Sequence, residues 1–119
     1  MQADPHIFIA LVHIILIVPL FMFVGAMRDK SPTVLYKALL IMGATVLGYH
    51  LWRLSVKYRS NVSGQWVNLI HVVLVAPLLI YIGINEKDTP RYAYEVLLMA
   101  GFAALGYHMI TLIKSINAN

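Results

Sequence analysis

Four histidines lie at intervals in the apolar parts of this chain: His13, His50, His71 and His108. An ionisable side chain is costly inside a membrane and marks a functional site by default. Imidazole is an axial ligand of haem iron and also suits Zn, Cu, Fe and Ni. It also titrates near neutral pH. The four residues are therefore predicted to hold a cofactor, to bind a transition metal together, or to pass protons.

The histidines belong to an internal repeat with an offset of 58 residues. His13 corresponds to His71, and the segment Leu47-Gly-Tyr-His50 recurs as Leu105-Gly-Tyr-His108. Prolines, glycines and tyrosines recur in the same register, so that 15 of the 42 positions from 13 to 54 are identical. Such self-similarity at a fixed offset indicates a duplicated structural unit.

The repeat defines the predicted organisation of the chain. We expect two tandem helical hairpins, about 6–58 and about 64–115, within a single membrane domain, 1–119. Because each copy contains two spans, both copies enter the membrane in the same direction. Their pseudo-twofold axis should then run along the membrane normal.

The elements that carry these residues are four apolar segments. The chain is 61% hydrophobic and 12% charged, whereas soluble domains are about 25% charged. A bilayer is crossed by about 20 helical residues, and no segment alternates with the period of a strand. The sequence therefore predicts an all-α integral membrane protein, an up-down bundle of four transmembrane helices. The four segments are 7–27, 38–52, 67–84 and 96–113.

This topology places the N- and C-termini on the same side of the membrane. Lys and Arg residues divide four to five between the two sides, so the positive-inside rule does not select an orientation. The source membrane, whether cellular, organellar or viral, is likewise left open.

Prolines occur both at the predicted helix starts and within two of the helices. Asp4-Pro5, Ser31-Pro32 and Thr89-Pro90 are typical of helix starts, and 61–64 is predicted to form the turn between the second and third helices. Pro19 and Pro77 fall within helices and remove a backbone hydrogen bond there. They predict either a kink that opens a cavity or simple curvature.

Tyrosine, glycine and histidine recur with a spacing of seven residues. Gly43 precedes His50 as Gly101 precedes His108, with Tyr36 and Tyr94 a further seven residues back, near the opposite interface. Seven residues is nearly two helical turns, so each trio shares a face. Gly43 and Gly101 either make room for a flat ligand or let helices pack closely. The predicted cofactor site also includes Tyr49 and Tyr107, which directly precede the second and fourth histidines.

Two histidine pairs could provide axial ligands on both sides of a haem. In an up-down bundle the symmetric pairs face each other diagonally, which predicts His13 with His71, or His50 with His108. Counting residues from the first connection places His13 and His50 at levels that differ by about 6 Å. Alternatively, all four rings approach one metal ion.

The histidines with glycine on the same helix face resemble the design of membrane b-type cytochromes. In that design, histidines on transmembrane helices hold haem and glycines admit it. The resemblance implies a b-type haem or another tetrapyrrole, used in electron transfer or pigment binding. The two histidines about two heptads apart on one helix, usual in those proteins, are not present in this chain.

Two other interpretations compete with a tetrapyrrole site. A non-enzymatic structural or organising protein would use neutral histidines to cross-link helices, with Asn68, Thr45 or Thr111 as hydrogen-bond partners. An ion or proton channel or transporter would use the prolines and histidines as a path. No nucleophile–base–acid set points to an enzyme.

The expected partners are the lipid bilayer and either further copies of the chain or a larger membrane complex. Nothing in the net charge of +4 indicates nucleic-acid binding. The absence of cysteine excludes disulfides and thiolate metal sites. The cofactor is thus a tetrapyrrole, a transition metal, or none.

Overall fold

The computed structural model describes residues 5–60 and 65–118, and within them the chain forms four long helices and no strand. Helix α2 is Thr33–Ser60 and helix α4 is Arg91–Ala118. Helix α1 comprises Pro5–Val12, a π-helical turn at His13–Ile17, and Val18–Met27; helix α3 comprises Gln65–Ile70, a π-helical turn at His71–Val75, and Ala76–Asn85. The predicted cap at Asp4 and the predicted turn at 61–64 lie outside the described residues.

All four helices are long and apolar enough to cross a bilayer. At most 28% of the residues in the most apolar stretch of each helix are buried within the protein. Large side chains such as Phe8, Ile41 and Val73 are more than 60% exposed. The predicted all-helical architecture with four apolar segments is therefore confirmed, and these exposed surfaces are compatible with a multi-pass membrane protein.

The described chain divides into two compact units of two helices each. One unit contains residues 5–28 and 94–118, which are α1 with most of α4, and the other contains residues 29–93, which are α2 and α3. Because α1 and α2 come from the first sequence copy, each unit combines one helix from each copy.

Glycines bring the helices of each unit into close contact. In the unit of α2 and α3, a Cβ added to Gly83 would lie 2.7 Å from Leu40 Cβ, and one added to Gly43 would lie 2.9 Å from Leu79 Cβ. Residue numbers on the two helices run in opposite directions along this contact, so α2 and α3 are antiparallel. Small residues that let backbones approach are typical of helix contacts in membranes.

Equivalent positions make the same contacts in the other unit. There, Gly25 faces Leu98 and Gly101 faces Met22 and Phe21. Gly25 corresponds to Gly83 with the 58-residue offset, and Leu98 corresponds to Leu40. The repeated sequence thus specifies one antiparallel helix contact, which the chain forms twice.

Two tyrosines of the seven-residue pattern lie in the core. Tyr36 and Tyr94 are fully buried. They are the largest side chains in the protein core, beside Leu39 and Leu97, which occupy equivalent positions in the repeat. Burial of a tyrosine ring adds a large apolar contact area, which explains why both copies keep it.

The intrahelical prolines follow π-helical turns. The Val18 N–H bonds to the carbonyl of His13, and the Ala76 N–H bonds to that of His71, so each bond spans five residues instead of four. Pro19 and Pro77 follow directly, and proline has no N–H to donate in an α-helical or a π-helical pattern. The backbone can therefore change from one pattern to the other at the proline without losing a further hydrogen bond. Both π turns begin at a histidine.

Residues with a positive φ end α1 and α3. Arg28 has φ 55° and Glu86 has φ 49°, and these two positions are equivalent in the repeat. Their N–H groups bond to Val24 and Ile82 four residues earlier and close each helix. This conformation crowds the Cβ of any residue other than glycine.

Replacement of Gly83 by alanine tests the close helix contact. The new Cβ would lie within 2.8 Å of the Leu40 backbone, so Gly83→Ala should destabilise the protein by about 1–3 kcal/mol. The measurement is the free energy of unfolding in detergent micelles. Gly48→Ala is the matched control, because its Cβ would meet nothing within 4 Å and the change should be neutral or stabilising by up to about 1 kcal/mol. Equal losses from both variants would contradict the packing role.

The positive φ of Glu86 generates a second prediction. Both Glu86→Gly and Glu86→Ala remove the side chain, but only glycine relieves the strained backbone, so the glycine variant should be more stable by about 1 kcal/mol. The same comparison at Lys87, which does not have a positive φ, should favour alanine. An alanine variant as stable as the glycine variant at position 86 would refute the strain. Thermal unfolding of the four purified variants provides the comparison.

Candidate histidine sites

Each unit contains one pair of histidines in ring contact. In the unit of α1 and α4, the His13 and His108 ring centroids are 4.0 Å apart with an interplanar angle of 25°. In the unit of α2 and α3, the His50 and His71 centroids are 4.2 Å apart with an angle of 18°. All four rings are half-buried. Each stack therefore joins the two helices of its unit through a pair of imidazole rings.

The contacting pairs differ from those predicted from the sequence. The expected pairs joined equivalent residues, His13 with His71 or His50 with His108. Each observed stack instead joins a histidine of the first type, which is His13 or His71, to one of the second type, which is His50 or His108. The difference of about 6 Å between the levels of His13 and His50 stays a prediction, because these two residues belong to different units.

Backbone carbonyls set the tautomer of the first-type histidines. His71 Nδ1 lies 2.6 Å from the carbonyl oxygen of Val67, and His13 Nδ1 lies 2.8 Å from that of Ile9. A carbonyl can only accept, so Nδ1 carries the hydrogen and donates it. In the neutral ring the lone pair is then on Nε2. A ring that donates its other N–H to a carbonyl is the usual arrangement around metal-ligating histidines.

Asn68 holds the His50 ring in the same tautomer. His50 Nδ1 donates to Asn68 Oδ1 at 2.8 Å, and Asn68 Nδ2 donates to Gln65 Oε1 at 3.3 Å. The second bond fixes which end of the amide faces the histidine. Asn68 is only 5% exposed, and in this network its amide nitrogen and its amide oxygen each take part in a hydrogen bond. Asn68 was predicted from the sequence as a histidine partner, and the structure confirms it for His50.

The two threonines proposed as histidine partners bond elsewhere. Thr45 Oγ1 donates to the carbonyl of Ile41, and Thr111 Oγ1 donates to that of Tyr107, in each case one turn earlier on the same helix. Short hydroxyl side chains commonly make this local bond within helices. Their hydroxyl hydrogens are therefore not given to a histidine.

The two units differ in the side chains around the histidine pairs. Ala10 occupies the position equivalent to Asn68, and Ile7 occupies the position equivalent to Gln65. Ala10 is fully buried and has no polar side-chain atom. The amide side chains that orient His50 therefore have no counterpart at positions 10 and 7.

The other predicted site residues take up different positions. Gly43 and Gly101 are buried against the facing helix, which is the packing role, whereas Gly48 and Gly106 are exposed with open space around them. Tyr49 and Tyr107 are 50% and 42% exposed, with their rings edge-on to His50 and His108 at 5.0 and 5.1 Å. The two tyrosines thus lie on the exposed side of the histidines, whereas Gly43 and Gly101 allow the helices to pack closely.

Metal ligation by a larger cluster was a further expectation. Among residues 5–60 and 65–118, no group of three or more His, Cys, Asp or Glu side chains could hold a metal ion. Ligation by four histidines together stays a prediction. The imidazoles that the structure brings together come in pairs.

Comparison with known proteins returned no match. No protein-family model matches the chain, and no curated protein and no solved structure was found to be similar to it. The chemistry of the site must therefore be inferred from its own geometry.

Coupling between His50 and Asn68 is testable by a double-mutant cycle. His50→Phe keeps an aromatic ring in the stack but leaves the buried amide without its donor, at a cost of about 1–3 kcal/mol. Adding Asn68→Leu removes the unsatisfied amide, so the two losses should fall short of additivity by about 1 kcal/mol or more. Unfolding free energies in detergent give the cycle.

The equivalent positions of the other unit provide the control for this cycle. His108→Phe combined with Ala10→Leu should show a coupling energy close to zero, because no amide lies at position 10. Equal coupling in the two units would show that the amide bond contributes nothing specific.

Proposed function

We propose that this chain is an integral membrane protein that binds a haem or related tetrapyrrole through its intramembrane histidines, for electron transfer or pigment binding. When bound, such a group supplies reversible one-electron chemistry or light absorption. The contribution of the chain is to bind and orient the group through imidazole nitrogens. The four long apolar helices with their exposed apolar side chains support the membrane setting.

The observation that carries this proposal is the state of His71 Nε2. The Nδ1–H of His71 is committed to Val67, so the neutral ring has its lone pair on Nε2. Within the described residues, no hydrogen-bond partner contacts this nitrogen. A polar atom without a partner is costly in hydrocarbon, and ligation of a metal centre would satisfy it.

The stacked geometry limits how such a group could be held. Bonds between a metal and imidazole nitrogen are about 2.0–2.1 Å long. Two imidazoles on opposite faces of one haem therefore cannot also lie face to face with centroids about 4 Å apart. The pairs within the units favour ligation by one histidine of a stack, with the second ring beside it.

Structural cross-linking is the second candidate, and the ring stacks themselves favour it. Each stack joins two antiparallel helices, and the close-packed glycines join the same helices. In this case the rings contribute contact area and orientation only. A phenylalanine could then replace a first-type histidine, because it preserves the aromatic ring.

The test uses the purified full-length protein in detergent and hemin as the probe. Titration should give a saturable change in the hemin absorption spectrum that indicates imidazole ligation. The His13→Phe/His71→Phe double variant keeps a ring at both positions but removes their lone pairs, so it should lose most of this binding. Loss of binding together with preserved stability would separate ligation from packing.

His6→Phe is the matched control, since His6 is an exposed histidine at the start of α1. This variant should bind hemin like the unmodified protein. A protein that remains colourless as purified and shows no saturable spectral change with hemin would overturn the proposal. Normal hemin binding by the double variant would exclude the first-type histidines as ligands.

A further inference from the structure

We infer that the two histidine pairs are not equivalent, and that the site is in the unit of α2 and α3, with His71 as the ligand and Asn68 as its positioning residue. This inference rests on the proposed function and specifies where the tetrapyrrole is held. Its basis is the set of differences between two units that otherwise repeat the same contacts.

The ligand role follows from hydrogen-bond chemistry. His71 is held by the bond from Nδ1 to Val67 and by the stack against His50, and both contacts leave Nε2 unused. The ring is therefore oriented and its lone pair is directed by two independent contacts. Ligands that are fixed in this way before binding do not lose further rotational freedom when a metal centre binds.

The positioning role follows from the chain of contacts behind this ring. Gln65 bonds to Asn68, Asn68 bonds to His50, and His50 stacks on His71. Asn68 does not contact His71 through any of these bonds, so it acts on the ligand through the His50 ring. Groups that hydrogen-bond directly to a metal ligand typically change metal affinity about 10- to 100-fold when they are replaced. Asn68 acts through one further ring, so we expect an effect at the lower end, about 10-fold.

The unit of α1 and α4 lacks the side chains that form this series of contacts. Ala10 and Ile7 stand where Asn68 and Gln65 would be, although the histidine stack and the glycine contacts are retained. Packing alone therefore does not require a buried asparagine at this position. Asn68 is 5% exposed, and a buried amide destabilises a protein unless its polar atoms are hydrogen-bonded.

The π turn that begins at His71 widens α3 at the level of this ring.

The experiment exchanges the distinguishing residues between the two units. In the full-length protein, Asn68→Ala should weaken hemin binding about 10-fold, because it removes the amide that orients His50 and copies the residue of the other unit. Ala10→Asn should bind hemin like the unmodified protein. Asn68→Asp retains an acceptor for His50, so it should bind hemin more tightly than Asn68→Ala. Affinities come from absorption titrations.

A ligand-specific readout separates positioning from a general loss of stability. His71→Ala should lose the imidazole-ligated spectrum of bound hemin, and added free imidazole should restore it. His71→Phe should weaken binding more than His13→Phe does. Circular dichroism of each variant at the titration temperature shows whether the helices are retained.

The outcomes distinguish this inference from the proposed function. Saturable hemin binding that is unchanged in Asn68→Ala, or that is weakened more by His13→Phe than by His71→Phe, would overturn the inference and leave the proposed function intact. Absence of hemin binding to the unmodified protein would overturn both. Restoration by imidazole in His71→Ala, with weakened binding in Asn68→Ala, would support both.

Discussion

The close approach of helix backbones at glycines determines most of this structure. At Gly43 and Gly83 the facing helix lies so near that even one added carbon would collide with it. Such a contact fixes both the distance between two helices and their antiparallel register. Once that register is fixed, every other residue of the two helices has a defined neighbour. The stacking of His50 on His71 is a consequence, because these residues lie at one level when Gly43 faces Leu79 and Ile80.

The histidines add ring nitrogens that could bind a metal centre to this rigid helix contact. A π turn that begins at His71 and a carbonyl bond from its Nδ1 set the ring against its neighbour. In the neutral tautomer, the bond from Nδ1 of His71 to Val67 leaves the lone pair of the ring on Nε2. The same physical conditions suit a structural aromatic contact and a metal ligand, which explains why stability measurements alone do not separate the two proposed roles.

Duplication gives the chain two copies of one helix contact, and it allows one copy to change. The histidine stacks, the buried tyrosines and the close-packed glycines occur in both units. Asn68 and its bonded neighbour Gln65 occur in one, where they orient His50. A buried amide is costly when it is left without hydrogen bonds, and the bonds of Asn68 to His50 and Gln65 offset that cost. The unit of α1 and α4 has Ala10 at the equivalent position and keeps the same glycine contacts and histidine stack.

The sequence by itself determined the four helices, because the length and polarity of a segment decide whether it can cross a bilayer. It also determined which positions are equivalent, since the 58-residue offset is read directly from the chain, and it identified Asn68 as a polar partner. Only the tertiary structure decided that His13 meets His108 and that His50 meets His71. Ring pairing depends on which helices lie side by side, and the contacts of glycine with the facing backbone set that choice. The spacing of residues along one helix contains no such information, so it suggested diagonal pairs and left two roles open for Gly43, ligand space or helix packing. The structure has a packed contact at Gly43.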